Sequence, residues 1–309
     1  MSAVRAMNPK NTAPRWQPYL LLALANLFWA GNWVVGRALR DAFGPVTLNF
    51  SRWAIAAVVL LPFALPQLAG KGALLRRNAG LLAALVITGV VLFQSLVYLG
   101  LRSTTAVNAV LLNCTLPLFM LVCSWVLERE RATMGQVAGM LISFAGVAVI
   151  LVRGELGDLL RLRFYPGDAL ILLAMPMWGI YSVLLKRWPR ELWGTGFMLV
   201  LALAGMPPLL LGAAFEVAGA APIHATPAAL AGVLYVGLFA SVGAFICWNR
   251  GVVAVGANAA GFSLPLLPAF GTVLAIVFLG EQLRPFHWVG FGTILLGVFV
   301  ATRPGARRS

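Results

Sequence analysis

Charge is what this sequence has least of. Asp, Glu, Lys and Arg together make up 10% of its residues, against about 25% in soluble domains. A chain so poor in charge, 61% hydrophobic and with a mean hydropathy of +0.91, does not cover a water-facing surface and belongs in a lipid bilayer. Histidine and cysteine are nearly as scarce. His224 and His287 lie near the ends of apolar runs, and Cys114, Cys123 and Cys247 lie within runs, without metal-ligand spacing. An odd number of cysteines inside spans offers no disulfide framework, and small hydrophobic packing suits each of them. The sequence carries no zinc motif and no phosphate-binding P-loop, and no cofactor is implied. An intramembrane enzyme would need a nucleophile with its base, a metal constellation or paired carboxylates in the spans. Two peripheral histidines and no central acids leave little to build one from.

What the chain has instead is apolar length. Windows of about nineteen residues pick out ten runs, at 17–39, 46–66, 79–101, 105–127, 133–152, 167–186, 194–214, 228–249, 256–280 and 285–302. Each approaches the roughly twenty residues a helix needs to cross hydrocarbon. The basic stretch "MSAVRAMNPKNTAPRWQP" precedes a run long enough to span, with no well-placed cleavage site, so an uncleaved first span is expected. The net charge of +14 does not imply nucleic acid, because the cations fall in short gaps between runs and not on one soluble face. By the positive-inside rule, fifteen Lys and Arg fall on the N-terminal side and seven on the other, with Arg52 inside a span. Both termini are therefore expected in the cytoplasm, in agreement with an even number of spans.

The two halves repeat one another. Trp29 pairs with Trp178 and Arg37 with Lys186 at an offset of 149, and Asn108 pairs with Asn258 at 150. Pro117–Pro268, Glu130–Glu281, Gly139–Gly290 and Gly146–Gly297 align at 151. Asparagine, proline and glycine matched in order are hard to attribute to shared hydrophobicity. Five spans per half is an odd number, so the second half is expected upside down relative to the first. Inverted repeats are the architecture of secondary transporters, with a substrate site near the midplane between the halves.

The stretches "LFWAGNWVVGR", "NAVLLNCTLPLFMLVCSWVLERE" with "GQVAGMLISFAGVAVIL", and "NAAGFSLPLLPAFGTVLAIVFLGEQL" with "WVGFGTILLGVFV" resemble the drug/metabolite transporter superfamily in its ten-helix, EamA-type form. The resemblance covers nearly all of residues 17–303, and the Pro…Glu…Gly…Gly series is its most specific part. It implies an all-α integral membrane protein of ten transmembrane helices in two inverted five-helix repeats. The expected division is a tail at 1–16, repeats at 17–152 and 167–303, an external linker at 153–166 and a tail at 304–309. Members move small metabolites, and the resemblance favours the YddG-like amino-acid exporters among them.

Helical spacing selects the candidate pathway residues. Asn26, Trp29, Trp33 and Arg37 follow steps of three and four and share a face of the first span. At about 1.5 Å per residue, Trp29 lies roughly 18 Å along the helix, near the middle of a bilayer about 30 Å thick. Interfacial anchoring does not explain a Trp there; lining a cavity or packing between helices does. Trp178, Tyr181, Ser182 and Leu185 form the equivalent stripe in the sixth span. Gln94 and Tyr98 on the third span, Trp248 on the eighth, Asn108 with Thr115 on the fourth, and Asn258, Phe262 and Ser263 on the ninth complete the set. Aromatic faces with a few amides and hydroxyls suit a small zwitterionic or aromatic solute, and packing remains the alternative for each.

Arg52 could meet a substrate carboxylate through a bidentate pair or serve as a structural anchor. Pro117 and Pro268 are expected to remove hydrogen bonds in mid-helix, and Pro265 with Pro268 makes the ninth span the candidate moving gate. Gly135, Gly139 and Gly146, with Gly290, Gly292 and Gly297, suit close helix packing.

No acid lies deep in a span: Asp168 begins the sixth, and Glu128, Glu130, Glu191 and Glu281 are near ends. Proton-coupled carriers commonly use buried acids or histidines as relays, so facilitated transport or exchange is the simpler mechanism. A cationic drug would miss its counter-charge. Phosphorylated sugars would want several central cations, where only Arg52 is available. The expectation is an inner-membrane carrier that exports amino acids, aromatic or otherwise neutral, or similar metabolites by alternating access, as a monomer or homodimer. Nucleotide-sugar, sugar-phosphate or drug transport on the same fold is the alternative, and a lipid scramblase or non-transporting receptor the alternative of another class.

Overall fold

Backbone polar groups surrounded by hydrocarbon have to be satisfied within their own segment, and the apolar runs accordingly wind into helices. The computed structural model describes residues 16–104, 109, 112–151, 164–219, 221, 223–279 and 285–302. Among them follow α1 (Gln17–Ala38), α2 (Pro45–Leu68), α3 (Ala79–Leu101), α4 (Leu116–Glu128) and α5 (Met134–Leu151). The second half holds α6 (Pro166–Leu185), α7 (Thr195–Ala218), α8 (Pro227–Val255), α9 (Ala257–Gly261 and Leu266–Leu279) and α10 (Pro285–Thr302). Seven of these segments reach the length and apolarity of a membrane crossing, and the helices at Leu116–Glu128, Met134–Ile150 and Pro285–Ala301 are shorter. The all-α membrane fold expected from the runs is the fold observed. Most of the expected linker at 153–166 lies outside the described residues.

The inversion is visible in which residues touch. Gln67, near the end of α2, donates to Thr195 Oγ1 at the start of α7 (2.7 Å) and accepts from the Gly196 amide (3.2 Å). At the opposite end, the Glu216 carboxylate of α7 accepts from the amides of Val46 and Thr47 (2.9 and 2.8 Å) and from the Thr47 hydroxyl (2.9 Å). Thus α2 lies antiparallel to its own repeat equivalent. The pair α5 and α10 does the same: Gly146 faces Gly290, and Gly139 faces Gly297. The remaining neighbours obey the same exchange, α1 with α8 and α9 mirroring α6 with α3 and α4. Outward faces are apolar, as with Val58 and Phe63 on α2 and Leu210 and Leu211 on α7. Trp53, Trp178, Trp248, Tyr181 and Arg52 are fully buried.

Three expectations change. Pro117 and Pro268 do not interrupt helices in the middle; turns at 114–115 and 262–265 precede them, and each proline stands in the first turn of a new segment. A missing N–H costs nothing there, because first-turn amides have no partner within the helix. Pro265 closes the second of these turns. Glu216 is an acid within α7, which runs on to Ala218, past the expected end at 214. Gly135 and Gly292 are not packing glycines: a Cβ at Gly292 would meet nothing within 4 Å, and one at Gly135 nothing closer than 3.8 Å.

The α5–α10 contact generates a direct test. A Cβ at Gly146 would come within 2.8 Å of the Gly290 carbonyl oxygen and the Ile294 amide, both backbone. Gly146→Val is expected to cost about 1–3 kcal/mol through overpacking, seen as a lower melting temperature in detergent and less monodisperse protein. Gly292→Ala should leave both unchanged.

Candidate functional site

Where the two halves meet, the repeat mates Trp29 and Trp178 touch each other, edge to face, with centroids 5.0 Å apart and planes at 89°. Trp248 lies 5.3 Å from Trp29 and 5.6 Å from Trp178, and Phe245 meets the Trp178 ring at 5.4 Å and 88°. Edge-to-face pairs of this kind contribute about 0.5–1.5 kcal/mol each beyond the area they bury. Against this cluster lies a narrow cavity, lined by Trp29, Asn32 and Trp33 of α1, Phe93, Gln94 and Val97 of α3, and Trp178 of α6. Asn113 and Leu116 at the α4 turn, Phe245 of α8, and Leu264 and Leu267 at the α9 break close it. Its volume is about 20 Å³, which holds a water or two and is too small for an amino acid. A solute of that size requires the walls to part.

Two helical irregularities shape the wall. The middle of α3, Val86–Leu92, and of α8, Val236–Gly243, is wound as π-helix. Such winding is rare and turns up at functional sites. It leaves repeat-equivalent carbonyls to outside donors: Val90 accepts from Asn49 Nδ2 (2.9 Å) and Ala240 from Trp29 Nε1 (3.1 Å). Nothing in the hydrophobic pattern of either run signals this winding.

The expected site residues divide. Trp29, Trp33, Gln94 and Trp178 line the cavity, and Gln94 Nε2 and Trp178 Nε1 are buried without a hydrogen-bond partner. Others are occupied by one another. Tyr181 donates to Asn249 Oδ1 (2.9 Å), and Trp248 Nε1 donates to Ser182 Oγ (3.3 Å). Asn26 Nδ2 donates to the Leu22 carbonyl and to Ser263 Oγ (2.8 and 3.1 Å), tying α1 to the α9 break. Thr115 donates back to the Leu112 carbonyl (2.6 Å), and Asn258 is buried with Oδ1 unpartnered. Phe262 points elsewhere, packing with Met140 and Ala301, because the break after Gly261 resets the helical phase on which its placement rested. Asn108 and the Arg37 side chain lie outside the described residues.

Arg52 does not line the cavity. It is 1% exposed; Nε donates to Ser241 Oγ at 2.6 Å and Nη1 to the Tyr98 hydroxyl oxygen at 3.2 Å, while Nη2 has no partner. Tyr98, whose ring rests where Gly36 has no side chain, donates in turn to Asn32 Oδ1 at 2.8 Å. Asn32 escaped the sequence reading although it stands three residues after Trp29, on the same helical face. Asn49, Phe93 and Phe245 carry no comparable signal.

The end of the bundle where α4 and α6 finish holds a cluster of ion pairs. Lys186 Nζ binds Glu128 and Glu130 (2.9 Å to the latter), and Arg187 donates to the Leu127 carbonyl (2.8 Å). Burial by itself would lower the Lys186 pKa, but hydrogen bonds to the two glutamates and their charge outweigh it and raise it, so Lys186 stays charged at neutral pH. Among the described residues no group of His, Cys, Asp and Glu could hold a metal ion.

Comparison with known proteins agrees with this architecture. The profile of the EamA-like transporter family matches residues 16–152 and 165–303. An uncharacterized transporter of Archaeoglobus fulgidus is 28% identical over 292 residues, 92% of this chain and 96% of its own. A protein of Streptantibioticus cattleyicolor, described as a "probable terminal-alkyne amino-acid exporter", is 30% identical over 293 residues, 91% and 92% of the two chains. A solved crystal structure superimposes with a TM-score of 0.73 at 21% identity, covering 94% of this chain and 97% of its own, a likeness of fold. Two tandem matches that span nearly the whole chain, on helices that pair in inverted order, lead to one conclusion: the chain belongs to the EamA-like transporter family.

Proposed function

We propose that this transporter exports neutral amino acids, aromatic ones among them, or similar small metabolites, across a bacterial inner membrane with both its termini in the cytoplasm. The observation that carries the reading is the composition of the cavity. It sits between the repeats, its walls are aromatic, its free polar atoms are amide and indole groups, and among the described residues no acidic side chain lines it. A phosphorylated solute would find no cluster of cations there, and an organic cation no counter-charge. The relative described as a probable terminal-alkyne amino-acid exporter supports the same substrate class.

Alternating access follows from the inverted architecture, since exchanging the conformations of two inverted halves exchanges which side is open. Trp33, Val97 and Asn113 carry the cavity toward the turns at 39–44 and 102–104, while Leu22, Met120, Tyr181 and Trp248 fill the other half. In the proposed orientation the cavity therefore leans outward, and the Lys186 cluster holds the cytoplasmic end closed. With no carboxylate at the cavity, transport runs without a coupled proton.

Uptake and counterflow of labelled amino acids in proteoliposomes test this. Counterflow is expected for at least one neutral amino acid, at a rate insensitive to an imposed pH gradient. Failure to carry any amino acid removes the substrate assignment, and strong acceleration by the gradient removes the uncoupled mechanism. Trp178→Ala should alter the order of preferred substrates. Tyr181→Phe should leave that order intact while costing about 1 kcal/mol of stability for the lost bond to Asn249.

A further inference from the structure

The hydrogen bonds that start at Arg52 can run in only one direction. A guanidinium has five N–H donors, no acceptor, and a charge it does not lose. Ser241 Oγ and Tyr98 Oη must therefore accept from it. Ser241 passes its own proton to the Val236 carbonyl at 2.9 Å, inside the π-wound part of α8. Tyr98 likewise has its hydroxyl hydrogen left to give, and gives it to Asn32 Oδ1 at 2.8 Å. With its carbonyl oxygen claimed, Asn32 has the Nδ2 donor left for the cavity that it lines.

Two more groups of the wall offer donors. Gln94 Nε2 and Trp178 Nε1 are donors without partners. Arg52 itself has no carboxylate of the described residues within ion-pair distance, and its Nη2 has no partner. An unneutralised cation in a low-dielectric interior favours negative charge arriving nearby. We propose that Arg52 is a positioning residue for substrate selection: through Tyr98 and Asn32 it orients the cavity's amide donors to receive a carboxylate and to turn away a solute whose only charge is positive. This deepens, and rests on, the assignment of the cavity as the substrate site. Arg52 acts without touching the solute, which explains why it can lie behind the wall.

Four probes sharing one ring separate the possibilities: L-phenylalanine, 3-phenylpropionate, L-phenylalaninamide and phenethylamine. Binding to the full-length protein in detergent is read by tryptophan fluorescence and by thermal stabilisation. The two carboxylates are expected to bind about tenfold more tightly than the amide and the amine, the worth of one charge-assisted hydrogen bond. Tyr98→Phe keeps the ring against Gly36 but cuts the chain, and should bring the four within about threefold of one another. Asn32→Asp should reverse the order in favour of phenethylamine. Equal binding of all four by the unmodified protein, or of neither carboxylate, overturns the proposal. So does a Tyr98→Phe protein that is less stable yet keeps the original ratio, which would make Arg52 a structural anchor only. If the carboxylate preference holds but no amino acid is carried in proteoliposomes, the polarity stands and the amino-acid assignment falls.

Discussion

Hydrocarbon offers a polar atom nothing to bond with, so every such atom in the spans has to be answered from within the bundle. Much of the interior follows from that constraint. Asn49 and Trp29 answer the carbonyls left by π-winding in α3 and α8, and Asn26 joins α1 to the turn in α9 through Ser263. Glu216 answers the first amides of α2, and Asp168 accepts from the Tyr165 amide (2.8 Å) at the beginning of α6. Among the buried atoms left unanswered, Gln94 Nε2 and Trp178 Nε1 face the cavity, while others, such as Trp53 Nε1 and Ser124 Oγ, lie elsewhere in the bundle.

Symmetry supplies the frame and its violations supply the chemistry. Antiparallel pairing of α2 with α7 and of α5 with α10 places the axis of the molecule between equivalent helices, and the Trp29–Trp178 contact lies where the halves meet. Glycines that face one another across α5 and α10 bring two backbones together without side chains between them, the kind of packing that works in lipid, where hydrophobic collapse contributes little. Yet Arg52 has Ala202 near its equivalent position, and Tyr98 has Trp248. A perfectly two-fold cavity would present the same groups to both ends of a solute. An amino acid has two different ends, and the departures from symmetry are what can distinguish them.

A good deal of this was legible along the chain. Its hydropathy demanded helices in lipid, and the order of its repeated Asn, Pro, Glu and Gly residues with an odd span count demanded inversion. Helical spacing led to Trp29, Trp33, Gln94 and Trp178, all of which line the cavity, because periodicity on an unbroken helix is a local property. Phe262 was misplaced where the helix breaks, and the π-wound segments left no mark, since they depend on donors that arrive from other helices. Which polar residues face the cavity and which bond one another was likewise decided by tertiary structure. Tyr181 and Asn249 are 68 residues apart, Arg52 and Ser241 189. Pairings at such separations are set by how two inverted halves close on each other, and no window along one strand of residues contains them.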